Sequence, residues 1–135
     1  LISNDFEHNR QEATLKFLAS YFDNYNLGVT PERYLQMCAA MGDEPDYSKL
    51  PPDFSSFPSY VQVAIEIFNS LPDTYSGGTT PLYVGKDLSA LPTLFDIFKI
   101  EDDEKMKVFE VVRFLDNRAR KQAASQAEKA NKRNK

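Results

Sequence analysis

Four prolines fall within the stretch DEPDYSKLPPDFSSFPS, residues 43–59, and they separate two blocks of helical patterning. A proline has no backbone N–H to donate and its ring clashes with the carbonyl four residues back, so most of this stretch cannot be helix interior. The acidic and hydroxyl residues between the prolines favour turns. Tyr47, Phe54 and Phe57 are spaced through it, and a free linker would have little use for three aromatic rings. The expectation is an ordered loop pinned to the domain surface.

Ahead of this loop, Ser3 or Asn4 followed by Asp5 and Glu7 reads as a helix start. Phe6, Ala13, Phe17, Leu18, Tyr21, Phe22 and Tyr25 then recur at three- and four-residue spacing, which predicts an amphipathic helix ending near Gly28. VTPERYLQMCAAMG predicts a second helix over 31–41, with Thr30 as N-cap, Pro31 in the first turn, Glu32 at the positive end of the dipole and Gly42 as left-handed terminator. Pro58 opens PSYVQVAIEIFNSL, in which Tyr60, Val61, Ala64, Ile65, Phe68 and Leu71 form one face while Val63 and Ile67 widen it. So wide a stripe predicts a helix packed on more than one side.

Ser89 and Pro92 flank the start of a short fourth helix with Leu91, Leu94, Phe95 and Phe98 on one side. In the last block Asp102 or Asp103 reads as the cap, and Met106, Phe109, Val112 and Leu115, with Val108 and Val111 adjoining, are expected to bury the first half. Beyond Asp116 the large apolar residues stop. Ala119, Ala123, Ala127 and Ala130 keep helical spacing but bury little area, so a solvated, fraying helix is expected to project from the body. No alternating run is long enough to require a sheet, although PLYV at 81–84 reads as a short extended piece. The expected fold is all-α: about five helices, two ordered connectors rich in proline and aromatic residues, and a long C-terminal helix beyond the body. Residues 1–116 are read as an acidic helical domain and 117–135 as a basic tail.

A chain of 135 residues that is 41% hydrophobic and 13% aromatic has the content of one domain with a real core. Cys38, its single cysteine, can make no internal bridge; it is expected as a small core residue, and a reducing, cytoplasmic setting is expected with it. LISNDFEH has neither the basic and apolar regions nor the cleavage site of a signal peptide. No stretch approaches the ~20 apolar residues of a membrane span. The chain opens on Leu1, and a large residue there is a poor substrate for methionine removal, so further residues are expected to precede it.

YSGGTTPLYVGKDLS, residues 75–89, gathers glycines, hydroxyls and a lysine as a phosphate-binding loop does. Counting back from Gly85-Lys86, however, puts Thr80 where a Walker A loop needs glycine, and Asp87 replaces the magnesium-binding hydroxyl. A structured connector is expected there. His8, the only histidine, is expected on the surface of the first helix, and one histidine with one cysteine cannot supply a structural zinc site. The acidic groups at 43–46 and 101–104 lack the glycine and glutamate spacing of a calcium loop. Neither cofactor nor metal is expected, and no catalytic constellation is legible.

Charge is distributed very unevenly. Residues 117–135 carry Arg118, Arg120, Lys121, Lys129, Lys132, Arg133 and Lys135 against Glu128 alone, a net of +6, which leaves −10 for residues 1–116 in a chain of net charge −4. Nucleic acid is repelled by such a body, whereas the tail suits a phosphate backbone, an acidic protein, or simple solubilisation. The combination of small acidic helical body, aromatic loops and basic alanine-lysine tail loosely resembles small accessory or assembly proteins of tailed bacteriophages. That resemblance is one of general character and carries over no functional residue. It implies a non-enzymatic interaction factor for assembly, loading or regulation, with a protein partner. Tyr47, Phe54, Phe57, Tyr75 and Tyr83 are the expected partner-binding residues, with surface packing the other reading of the same rings. Nucleic-acid binding through the seven basic residues of the tail is the alternative function.

Overall fold

The computed structural model describes residues 2–133, the side chains of residues 2–8 and 26 excepted. The side chains of Phe6 and His8, and Lys135, read above from the sequence, therefore lie outside the described residues. The chain forms two compact units, Leu1–Phe57 and Pro58–Lys135.

The first unit contains α1 (Ile2–Asn26) and α2 (Pro31–Met41), followed by 3₁₀ turns at Tyr47–Lys49 and Phe54–Ser56. Ser3 and Asn4, expected as caps, fall inside α1. The chain leaves α1 through Gly28, and the amide of Val29 closes the end on the Asn24 carbonyl at 2.8 Å. α2 has the expected bounds because its stop and start signals are local. Thr30 Oγ1 accepts the Arg33 N–H at 3.2 Å, and Gly42 at φ 73° lets the Asp43 amide reach back to the Cys38 carbonyl at 2.9 Å. Cys38 is half-buried on a helix with no fully buried residue, not a core position.

The proline-rich connector is ordered by short-range polar bonds. Tyr34 Oη donates to the Asp46 carbonyl and accepts the Asp46 N–H, both at 3.2 Å, while Asp46 caps the first 3₁₀ turn through the Ser48 amide at 3.1 Å. At its far end Phe57 is buried with its ring edge-on to Tyr21 and Phe17, at centroid distances of 5.5 and 5.6 Å. Such pairs contribute roughly 0.5–1.5 kcal/mol each beyond their buried area.

The second unit is built on α3 (Ser59–Ser70) packed along α5 (Lys105–Arg133), with β1 (Asp73–Tyr75), β2 (Tyr83–Lys86) and α4 (Leu91–Ile97) between them in the chain. Val61, Ala64, Ile65 and Ile67 of α3 and Val108, Val111, Val112 and Leu115 of α5 are buried. Ile67, expected at the margin of its stripe, is wholly buried. Met106, expected in the core, is 65% exposed, so the buried stripe runs through Val108 and Val111 instead. α5 begins at Lys105, after the expected caps; Asp102 instead pairs with Lys105 Nζ at 2.8 Å.

Mostly helical, the fold is nevertheless not all-α. β1 and β2 pair antiparallel, Asp73 opposite Lys86 and Thr74 opposite Gly85, with an irregularity between Thr74 and Tyr75. Two strands alone are marginal in water and need a surface to pack on. Here β2 packs on α5. Asp116, only 2% exposed, accepts the Lys86 N–H on Oδ1 at 2.7 Å and pairs through Oδ2 with Arg120 Nε at 3.0 Å. Gly85, at φ 111°, passes beneath the Arg120 guanidinium, into which any added Cβ would run.

Asp116→Ala leaves the part-buried Lys86 N–H without its acceptor, while the half-exposed Arg120 remains solvated, so it should lower the unfolding free energy by about 1–3 kcal/mol in urea titrations. Asp116→Asn should cost less, since its amide oxygen still accepts the Lys86 N–H. Gly85→Ala should remain destabilising even in an Arg120→Ala background, where the clash is gone but the left-handed backbone persists.

Candidate functional site

Lys86 is the residue that a phosphate loop would need free, and the fold commits it elsewhere. Its Nζ lies 2.9 Å from Asp73 Oδ1, donates to the Leu71 carbonyl at 3.1 Å, and sits 5.0 Å from the Phe68 ring centroid, with the side chain 11% exposed. Asp87 caps the following 3₁₀ turn, Leu88–Ala90, accepting the Ser89 N–H at 3.0 Å and its hydroxyl at 2.6 Å. The hydroxyl bond, followed by the amide bond, lowers the Asp87 carboxyl below the ordinary range. Between the strands, the Ser76 amide donates to the Leu82 carbonyl at 2.8 Å and its hydroxyl accepts the Leu82 N–H at 3.1 Å. The glycines of this stretch thus serve a hairpin. Among the described residues, no three His, Cys, Asp or Glu side chains come together as a metal site would require.

The five connector aromatics fall into different environments. Tyr47 is 70% exposed, Phe54 is half-buried and Phe57 is buried against α1. Tyr75 and Tyr83 meet edge-on across the hairpin at 5.7 Å, Tyr75 largely exposed and Tyr83 half-buried. Burial first, then the charges of Asp73 and Asp116, raises the Tyr83 phenol above the usual tyrosine value.

In the basic segment, α5 continues unbroken to Arg133, and no described side chain beyond Asp116 is fully buried. Arg120 belongs to the Asp116 pair, and Lys132 lies 3.7 Å from Glu128. At 100° per residue, Arg118, Lys121, Lys129 and Lys132 share one side of the helix, while Arg120 points elsewhere.

A further feature was hidden among residues assigned to the core. Leu88, Leu91, Pro92 and Phe95 form one wall, and Met106 and Phe109 the other, of an open apolar groove of about 570 Å³ between α4 and the first turns of α5. Asp96 and Lys105 are its charged lining residues. The Asp102 hydrogen bond and charge hold the Lys105 ammonium above its ordinary pKa, and the same bond lowers Asp102. Apolar spacing in sequence signalled both walls, but spacing alone does not distinguish a stripe that is covered from one left open. Exposure of Met106 marks the difference.

Also among the described residues, no helix is long and apolar enough to cross a membrane. Comparison with family models, with curated proteins and with solved structures finds no significant match.

Lys86→Ala removes a shielded ammonium from Asp73 and from the Leu71 carbonyl, so it should lower the unfolding free energy by about 1–3 kcal/mol. Calorimetric titration with ATP or GTP and magnesium should give no saturable signal for either protein; micromolar binding abolished by Lys86→Ala would overturn the structural role.

Proposed function

We propose that this chain is a non-enzymatic interaction protein, an assembly, loading or regulatory accessory factor, which holds a protein partner in the groove between α4 and α5. The resemblance to small assembly proteins of tailed bacteriophages agrees with this role. One observation carries it: six apolar side chains line an open groove on the unit that also contains the best-packed core. Surface concavities lined this way mark interaction sites more often than isolated exposed residues do. Met106 is the natural anchor, since a flexible, polarizable thioether adapts to a partner's shape.

Affinity capture from the native cell, after nuclease treatment, tests the reading. Met106→Gln should reduce recovery of the specific partner about tenfold with thermal unfolding unchanged, and Met106→Leu should restore it. Equal recovery by Met106→Gln would overturn the groove as the docking site.

The one-sided placement of Arg118, Lys121, Lys129 and Lys132 favours a second reading, in which the end of α5 lies along a nucleic-acid backbone. Four such contacts predict a slope of roughly −3 to −4 for the logarithm of duplex affinity against that of salt concentration. A chain ending after Lys121 keeps Arg120 on Asp116 and should fold normally while losing most of this affinity. Undiminished binding by that truncated chain, or none by the full chain at low salt, would remove the second reading.

A further inference from the structure

Charge around the groove specifies its occupant more closely. The two walls are joined by the connector 98–104, which carries Glu101, Asp102, Asp103 and Glu104 against Lys99, all exposed, while Asp96 from α4 and Lys105 from α5 line the groove itself. The cations nearby in sequence are partly engaged. Lys105 is held by Asp102 at 2.8 Å, and Lys107 Nζ lies 5.9 Å from the centre of the Tyr60 ring on α3. The groove is therefore lined mainly by apolar side chains, and the connector that joins its walls carries a net negative charge.

We propose that the groove takes a basic amphipathic helix of a partner protein, with its apolar stripe on Leu91, Phe95, Met106 and Phe109 and its lysines or arginines beside residues 101–104. This rests on the protein-docking reading above and adds the chemistry of the partner. A helix suits the site because its walls are themselves helices, and helix-in-groove recognition reads anchors at i, i+3 or i+4, and i+7. α4 has seven residues, so its wall is about 10 Å long and accommodates two turns of such a helix. The chain's own basic segment is a poor occupant. Its apolar positions beyond Leu115 are alanines, too small to fill the groove.

Charge on the connector acts mainly on encounter and orientation, and it is screened over about 10 Å at 0.1 M salt. Acidic helices of the same apolar pattern are disfavoured by like charge.

The test is selection on the full-length protein from a displayed library of sixteen-residue peptides, with a fixed leucine stripe at helical spacing and the remaining positions drawn from Lys, Arg, Glu, Asp, Ser and Gln. Selected peptides should carry Lys or Arg in excess toward one end and bind at least tenfold more tightly at 50 mM than at 500 mM salt. They should lose that preference on Glu101→Lys/Asp103→Lys/Glu104→Lys and lose binding on Met106→Gln. Selection of neutral or acidic peptides, binding indifferent to the triple substitution, or no enrichment at all would overturn this inference. Partner capture that still depends on Met106 would leave the docking reading standing in each of those cases, so the two fail separately.

Discussion

Asp116 anchors the hairpin of the second unit to α5, and the placement of everything between β1 and α4 follows from it. A two-stranded ribbon of three and four residues has too little surface to persist alone, and what holds it here is one carboxylate with both oxygens committed. One oxygen takes the Lys86 amide and the other takes Arg120, so the charge is buried without being left unpaired. Gly85 then allows the strand to approach the helix closely enough for Arg120 to lie over it. The same strand brings Lys86 to Asp73 and Leu71, so the hairpin is closed at its open end by a second shielded charge. With the hairpin fixed, the chain enters the turn at Leu88 in a set direction, and α4 is delivered opposite the first turns of α5.

What was legible in the sequence follows the range of the forces involved. α2 was readable to the residue because Thr30, Pro31 and Gly42 act on their immediate neighbours. The proline-rich connector was expected to be ordered, and Tyr34 with Asp46 shows how. Of the sheet only an extended piece at 81–84 was readable, for its strands are too short to alternate and the Asp116 that accepts the Lys86 N–H lies far along the chain. α5 illustrates the ambiguity of apolar periodicity. Its first turns carry large apolar residues around more than half the circumference, and burial selected Val108, Val111, Val112 and Leu115 while leaving Met106 outside.

The same ambiguity concealed the groove. Leu91, Phe95, Met106 and Phe109 were each placed correctly on helices, yet whether an apolar face is covered depends on how neighbouring helices diverge, which no local pattern records. Arg120 is the converse case: it reads as one more cation of a basic tail, but it lies on a different side of the helix from Arg118, Lys121, Lys129 and Lys132, and there it pairs with Asp116.

α5 runs for 29 residues without a break, about 43 Å, from the groove at Met106 to the cations around Lys129. A helix of that length is a stiff spacer, so its two ends keep a separation of roughly 35 Å between those residues. Any assembly that grips both ends must therefore present matching sites at that spacing, and the second grip becomes an intramolecular event with a high local concentration. Under the proposed docking role the helix would act as a ruler that sets the distance between two contacts.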